Sequence, residues 1–591
     1  MRRTLAVLSL IALLAACGNE DGGLSGPLPN DQPVADAGPD QAVAVGALVT
    51  LDGSASDDFD NDPLTYLWTL TVVPVGSTAV LSDATVVAPT FTADLAGTYV
   101  ATLQVSDGTV ASLVDSVTIV ATVFDLAPTA DAGADKIGTI GAPVVLDGTA
   151  SSDPESVALT YLWAIEAAPT GSSAALSSTT AAQPTLTPDV DGTWLLSLTV
   201  DDGVNPSTPD TVLVTTVWRL NQTNAVAAVY TYPDGSPLPV DVQSLDAEVQ
   251  SGALFLRVHA TGIPSYQHTL TAADVNFLDN VQPNSKFTNN AGTTLTAGTV
   301  VDLGADVGYK VIDACFANTG GGGWFPPGPT CPGDQAHDVY LPFEPVVATQ
   351  SCFTQVNTIG LYRNGVAMFN WGDDQSYADQ GVWHQLAAKF EVKDLDLCSS
   401  HANQDGNYHH HLNPNCLAEQ LGDAGTAHSP IYGYAADGYP VHGLYHASGV
   451  KAQSCWKTRD YDTPSLTTGC GVAKQRSCLL VDRLDPTQGT VAAASTGPAT
   501  DAVEISEGGD PYTVSSGFYF EDYYFDAACA AAGGEFLDQH NGHDHDGLGY
   551  HYHQTEGFPY NLGPEYRGQL FPNAVQACTT TPTAKPSAAP R

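Results

Sequence analysis

All sixteen histidines of this 591-residue chain lie at or after His259, and two runs of them repeat each other. Tyr408-His409-His410-His411 and Tyr550-His551-Tyr552-His553 stand at a constant offset of 142 residues (409 to 551). The same offset relates Leu395-Asp396 to Leu537-Asp538 and His401 to His543. Imidazole nitrogen is a ligand for Zn, Cu, Fe or Ni. On a strand, alternate side chains share a face. His409 and His411 therefore point one way, with Cα atoms ~6–7 Å apart, while Tyr408 and His410 point the other. His551 and His553 stand in the same relation to Tyr550 and Tyr552. His401 and His543, at equal distances before each run, are the candidate third ligands. Asp396 and Asp538 are oxygen ligands or acceptors that fix the imidazole tautomer. His428, His442, His540 and His545 are further candidates around this set. The expectation is a composite centre in which His409, His411, His551 and His553 face one cavity. Two separate half-sites, or histidines that only pack, are the alternatives.

A three-histidine centre with an open position activates water or carries a redox metal. Asp396, Asp437 and Asp538 are the candidate bases for such chemistry, although Asp437-Gly438 reads first as a turn. No Gly-x-Ser-x-Gly elbow is present. The run Gly320 to Gly323 is not followed by Lys-Ser/Thr, so it is not a phosphate cradle.

The elements that must hold these residues read as strands. Val226–Tyr232, Leu254–Ala260, Ile359–Trp371 and His384–Val392 are apolar or alternating runs, and no long amphipathic helical stretch interrupts them. Residues 220–578 read as a mainly β region, in which 220–310 is either a β subdomain or the start of the main domain. Of 11 cysteines, ten lie between Cys315 and Cys578. That even number in an exported chain points to disulfides, with Cys315/Cys331 and Cys398/Cys416 as local pairs.

Upstream, residues 33–122 and 128–217 repeat at an offset of 95. Leu51-Asp52-Gly53-Ser54 matches Leu146-Asp147-Gly148-Thr149, and Tyr66-Leu67-Trp68 matches Tyr161-Leu162-Trp163. Short Val/Thr/Leu runs between Gly, Pro and Asp turns predict an all-β sandwich in each copy, with the Trp between the sheets. At these motifs the copies resemble PKD-like domains, which implies spacer or adhesive modules without chemistry. Asp57, Asp58, Asp60 and Asp62 form either a solvated acidic turn or a calcium site.

Net charge is −46 with a pI near 4.2, and Lys136 is the sole basic residue between Cys17 and Trp218. This argues against nucleic acid, whose binding needs clustered Lys and Arg. The basic Met1-Arg2-Arg3 and the apolar run from Leu5 to Ala16 read as a secretory signal, residues 1–16. Leu14-Ala15-Ala16-Cys17 resembles a bacterial lipobox, which implies lipidation of Cys17 and a membrane anchor. Gly18 in place of Asp favours the outer membrane or cell surface. Residues 17–32 read as a flexible tether and 579–591 as a disordered tail.

From Ile359 to Gly568 the chain resembles the YHYH-domain proteins. The resemblance rests on Asn364-Gly365-Val366, Gly406-Asn407-Tyr408-His409-His410-His411 and Asp437-Gly438-Tyr439-Pro440-Val441-His442. It continues through Asn541-Gly542-His543 and Tyr550-His551-Tyr552-His553. His410 replaces the family's second Tyr, and His442 replaces another. The expectation is a lipid-anchored cell-surface or periplasmic protein that binds a transition metal, Cu or Zn, with the repeats as spacer. A secreted metalloenzyme, acting on an unidentified small molecule, and an adhesive protein that binds a glycan or cell-surface partner are the alternatives.

Overall fold

The computed structural model describes residues 30–123, 125–220, 240–280, 296–303, 332–391, 395–403, 405–463, 468–505, 511–545 and 547–580. The signal, Cys17, most of the tether, Val226–Tyr232, Cys315/Cys331 and most of the tail lie outside the described residues. Strands dominate, and the longest described helix is Ala272–Asn280. No described helix is long and apolar enough to cross a membrane. The chain divides into two compact units, Met1–Leu126 and Ala127–Arg591.

In the first unit, Gln41–Ala44, Asp115–Thr122, Gly97–Ser106 and Thr65–Val72 form a sheet in that order. Leu48–Thr50 and Thr90–Thr92 pair separately. Tyr99, Ala101, Leu103 and Val105 alternate inward along one strand and close on Trp68. The Leu-Asp-Gly motif has a steric reason: a Cβ on Gly53 would lie 2.9 Å from Leu103 and 3.2 Å from Trp68. Asp58 is buried and caps its own turn, its Oδ1 accepting from the amides of Asp60 and Asp62.

The second repeat has the same sheet, with Trp163 buried in its core. Its strand Thr193–Asp201 is buried on both faces, because Leu195 and Leu213 turn outward and join Val242, Val258, Leu341 and Leu361 of the C-terminal domain. Trp218 stacks on Tyr434 with ring centroids 5.7 Å apart.

The C-terminal domain is built on an eight-stranded sheet. Its strands in chain order are β1 (Thr358–Tyr362), β2 (Ala367–Phe369), β3 (His401–Ala402), β4 (Tyr408–His410), β5 (Ile431–Ala435), β6 (Pro440–His442), β7 (Gly542–Asp544) and β8 (Tyr550–His553). In space they run β3-β4-β2-β1-β5-β6-β8-β7. The run Ile359–Trp371 is thus a hairpin rather than one strand, because Gly365 turns the chain at φ +76°. His384–Val392 is also broken: a strand, His384–Leu386, leads into one helical turn, Ala387–Phe390.

The order is symmetric about the β1/β5 pair. β1 to β4 repeat as β5 to β8. Gly360 pairs with Ala435, Leu361 with Tyr434 and Tyr362 with Gly433, so at an offset of 73 residues (360 to 433) the central pairing maps onto itself and the outer two exchange. Such self-mapping of an antiparallel pair places a pseudo-twofold axis between Leu361 and Tyr434, normal to the sheet. Asn364-Gly365 and Asp437-Gly438 are matched turns. Disulfides Cys352–Cys578, Cys398–Cys416, Cys455–Cys529 and Cys470–Cys478 brace this domain.

Candidate metal centres

His401 pairs directly with His409 across β3 and β4, and His543 pairs with His551 across β7 and β8. Directly opposed residues share a face, so each pair presents two imidazoles together. The last histidine of each run, His411 or His553, falls on the same face two residues on. The strand parity read from the sequence therefore holds: Tyr408, His410, Tyr550 and Tyr552 enter the core behind the sheet. His410 lies there against Tyr266, 3.2 Å away.

The composite centre does not form. β4 and β8 are five strand spacings apart, which at ~4.8 Å each is roughly 24 Å. Each tetrapeptide joins instead its own hairpin, β4 alongside β2 and β8 alongside β6. The reason is the duplication itself: each half completes its own four strands before meeting the other.

The first centre gathers Glu391, His401, His409 and His411, whose ligand atoms lie within 4.8 Å of one another. The Nε2 atoms of His401 and His409 are 3.2 Å apart, and those of His409 and His411 are 3.0 Å apart. Glu391 Oε2 lies 3.0 Å from His411 and 3.3 Å from His401. The tautomers are set from behind. His409 Nδ1–H donates to the carbonyl of Asn407 at 2.8 Å, and His411 Nδ1–H to that of Asn370 at 2.7 Å. With the proton on Nδ1, each Nε2 carries a lone pair, and two lone pairs face each other across 3.0 Å. A shared cation resolves that repulsion. Tetrahedral ligands with bonds of ~2.0–2.1 Å are spaced by roughly 3.3 Å, so the donor set fits a zinc- or copper-sized ion. Burial pushes His409 well below the ordinary imidazole range, helped by His401 and His411. Burial alone would raise Glu391, but positive charge at the positions of His411 and His401, carried by imidazolium in the absence of a metal, outweighs it and holds the carboxyl well below its usual value.

Glu391 was not legible in the sequence, because Gly533 stands at the matching position of the second half. Asp396 and Asp538 do not touch the imidazoles. Asp396 accepts the Tyr408 hydroxyl at 2.6 Å, and Asp538 accepts that of Tyr550 at 3.0 Å. Backbone carbonyls, not these carboxylates, fix the ring tautomers. Asp437 is fully buried and accepts from the Tyr552 hydroxyl and the Gly568 amide, away from the imidazole face. None of the three aspartates is placed as a base for either centre.

The second centre is larger. His428, His545, His551 and His553 form one group of converging ligand atoms, and His446, His543 and His545 form another. His551 Nδ1–H donates to Gly549 at 2.8 Å and His553 Nδ1–H to Gly443 at 2.7 Å, repeating the first centre's pattern. Burial pushes His551 down to about 4 and His543 to about 3, and His553 well below the imidazole range. His428 and His442 both donate Nδ1–H to the carbonyl of Ser429. His442 lies 4.6 Å from His551, ring to ring, but its ligand atom joins neither group. His540 is also outside them. It matches Cys398 in the repeat and donates to the carbonyl of Glu565. His446 was missed in sequence because nothing in the repeat marks it. A cleft of about 670 Å³ between the second repeat and this domain reaches the centre, lined by Pro169, Phe343, His428, Tyr439, His442 and Leu548 among others.

Comparison with known proteins follows the same division. Residues 338–562 match the family described as YHYH protein, and residues 37–121 and 132–216 each match a PKD-domain family. Chitinase A of Pseudoalteromonas piscicida is 33% identical over 193 residues, covering 31% of this chain and 22% of the relative. The dyslexia-associated protein KIAA0319-like protein of Mus musculus is 32% identical over 195 residues, covering 32% of this chain and 18% of that protein. This chain thus spans about a fifth of the length of these curated relatives. A solved PKD domain from the KIAA 1837 protein is 31% identical over 16% of this chain and 90% of that domain, with a TM-score of 0.14.

Proposed function

We propose that this chain, which carries a YHYH domain behind two PKD domains, is an exported surface protein that binds transition-metal ions at two separate histidine centres. The PKD repeats act as spacer or adhesive modules, in keeping with the PKD relatives. The lipobox-like Leu14-Ala15-Ala16-Cys17 supports a lipid anchor at Cys17. The observation that carries the reading is the pair of Nε2 atoms of His409 and His411, 3.0 Å apart, each with its Nδ1 committed to a backbone carbonyl. Neutral imidazoles arranged in this way gain from a cation between them. Their distance from one another and the single carboxylate, Glu391, favour zinc or copper over calcium or magnesium, which prefer oxygen.

The cleft beside His428 and His442 favours a second reading, in which the second centre acts on a small molecule as a metalloenzyme. Elemental analysis of the purified chain tests the first reading. His409→Ala/His411→Ala and His551→Ala/His553→Ala should each remove only their own centre's metal. Wild type that stays metal-free through titration with zinc and copper would sink it.

A further inference from the structure

The two halves of the sheet repeat the positions of His401, His409 and His411 as His543, His551 and His553, but their surroundings differ. Around the first set stands one further ligand, Glu391. Around the second stand three further imidazoles: His428 before β5, His446 after β6 and His545 after β7.

We infer that the second centre holds two metal ions, one between His428, His551 and His553 and one between His446, His543 and His545. This rests on the metal-binding reading above. In the first triad the ring centroids are 5.0 to 5.3 Å apart, and in the second 4.3 to 5.2 Å. The ligand atoms of each triad lie within 4.8 Å of one another, and His545 is within that distance of both sets. A zinc-like ion takes four ligands and works with three from protein, so six imidazoles exceed what one ion uses. The two triads adjoin, with the ring of His551 5.0 Å from that of His543 and 5.1 Å from that of His545, and side-by-side ions are the arrangement of two-metal sites. His551 and His553 are fully buried, and their Nε2 atoms have no hydrogen-bond partner among the described residues. Those atoms are committed to the interior of the cluster. Neither triad includes a carboxylate, in contrast to Glu391 at the first centre. All-imidazole donor sets suit copper or zinc and not the oxygen-seeking cations.

The test is stoichiometry on the full chain, saturated with zinc, freed of loose metal and analysed by elemental mass spectrometry. The expected ratio is three zinc ions per chain. His446→Ala, at a half-buried position on a short strand outside the main sheet, should lower it to two. His409→Ala/His411→Ala should also lower it to two. Combining all three substitutions should leave one. Retention of the first centre's ion in His446→Ala reports that the domain is still folded. A wild-type ratio of two that His446→Ala leaves unchanged overturns the inference while the metal-binding reading stands. A ratio of zero overturns both.

Discussion

Phe369 and His442 occupy the same place in the two halves of the eight-stranded sheet. His442 pairs with His553 across β6 and β8, and Phe369 follows Met368, which pairs with His410 across β2 and β4. Phe369 stacks on His409 at 3.8 Å, while His442 lies 4.6 Å from His551. The position is a ring wall behind the histidines. His442→Phe should therefore leave the metal content of the chain unchanged, measured by elemental analysis. Phe369→Ala should cost about 3–5 kcal/mol in chemical denaturation, because it opens a cavity under His409. Loss of an ion in His442→Phe would make His442 a ligand instead.

Metal removal should destabilise the C-terminal domain. A ligand bound only by the folded state adds ~2.7 kcal/mol at a hundred times its dissociation constant. Chelation should lower the melting temperature of wild type, and His409→Ala/His411→Ala should show a smaller drop. Equal melting curves with and without chelator would contradict this.

Asp396 should make the metal-free protein's stability depend on pH. Burial pushes its carboxyl up to about 7, against the lowering effect of the Tyr408 hydroxyl and the amides of Ser400 and Cys398. A group whose folded value is raised gives stability that is full below the unfolded value, ~3.9, and is lost as pH rises through about 7. Relative to Asp396→Asn, metal-free wild type should lose up to about 4 kcal/mol between pH 4 and pH 7, at ~1.4 kcal/mol per pH unit. Denaturation of both proteins across that range measures it. A flat difference would mean that the hydrogen bonds already hold the charged form.

The pseudo-twofold axis is sealed by two glycines. A Cβ on Gly360 would overlap the carbonyl oxygen of Tyr434, and one on Gly433 would overlap that of Leu361. Gly360→Ala and Gly433→Ala should be matched in cost, about 1–3 kcal/mol each as overpacking, and each should loosen both halves of the sheet. Thermal melts of the two variants should shift by similar amounts. A large effect from one and none from the other would show that the halves respond independently.

Much of this is legible in the sequence. The inward alternation along β4 and β8 and the paired repeats with Trp68 and Trp163 at their cores follow from neighbours within a few residues or from a constant offset, and Cys398–Cys416 is one of the local pairs the spacing allowed. The matched turns Asn364-Gly365 and Asp437-Gly438 were hidden, because their offset of 73 residues differs from the 142 that relates the tetrapeptides. The segments between hairpin and tetrapeptide have different lengths in the two halves. Glu391 and His446 were hidden for a related reason: neither has a counterpart in the other half.

The sequence by itself determined which side of each strand the histidines occupy, since side-chain direction in a strand has a period of two and needs no knowledge of partners. It also determined that the cluster is doubled. Only the tertiary structure decided that the doubling yields two centres and not one. Strand order is set by which edges pair, a non-local property, and here the halves meet at Leu361 and Tyr434 with the tetrapeptides turned outward on either side. The same packing brought Glu391 to one centre and His428, His446 and His545 to the other.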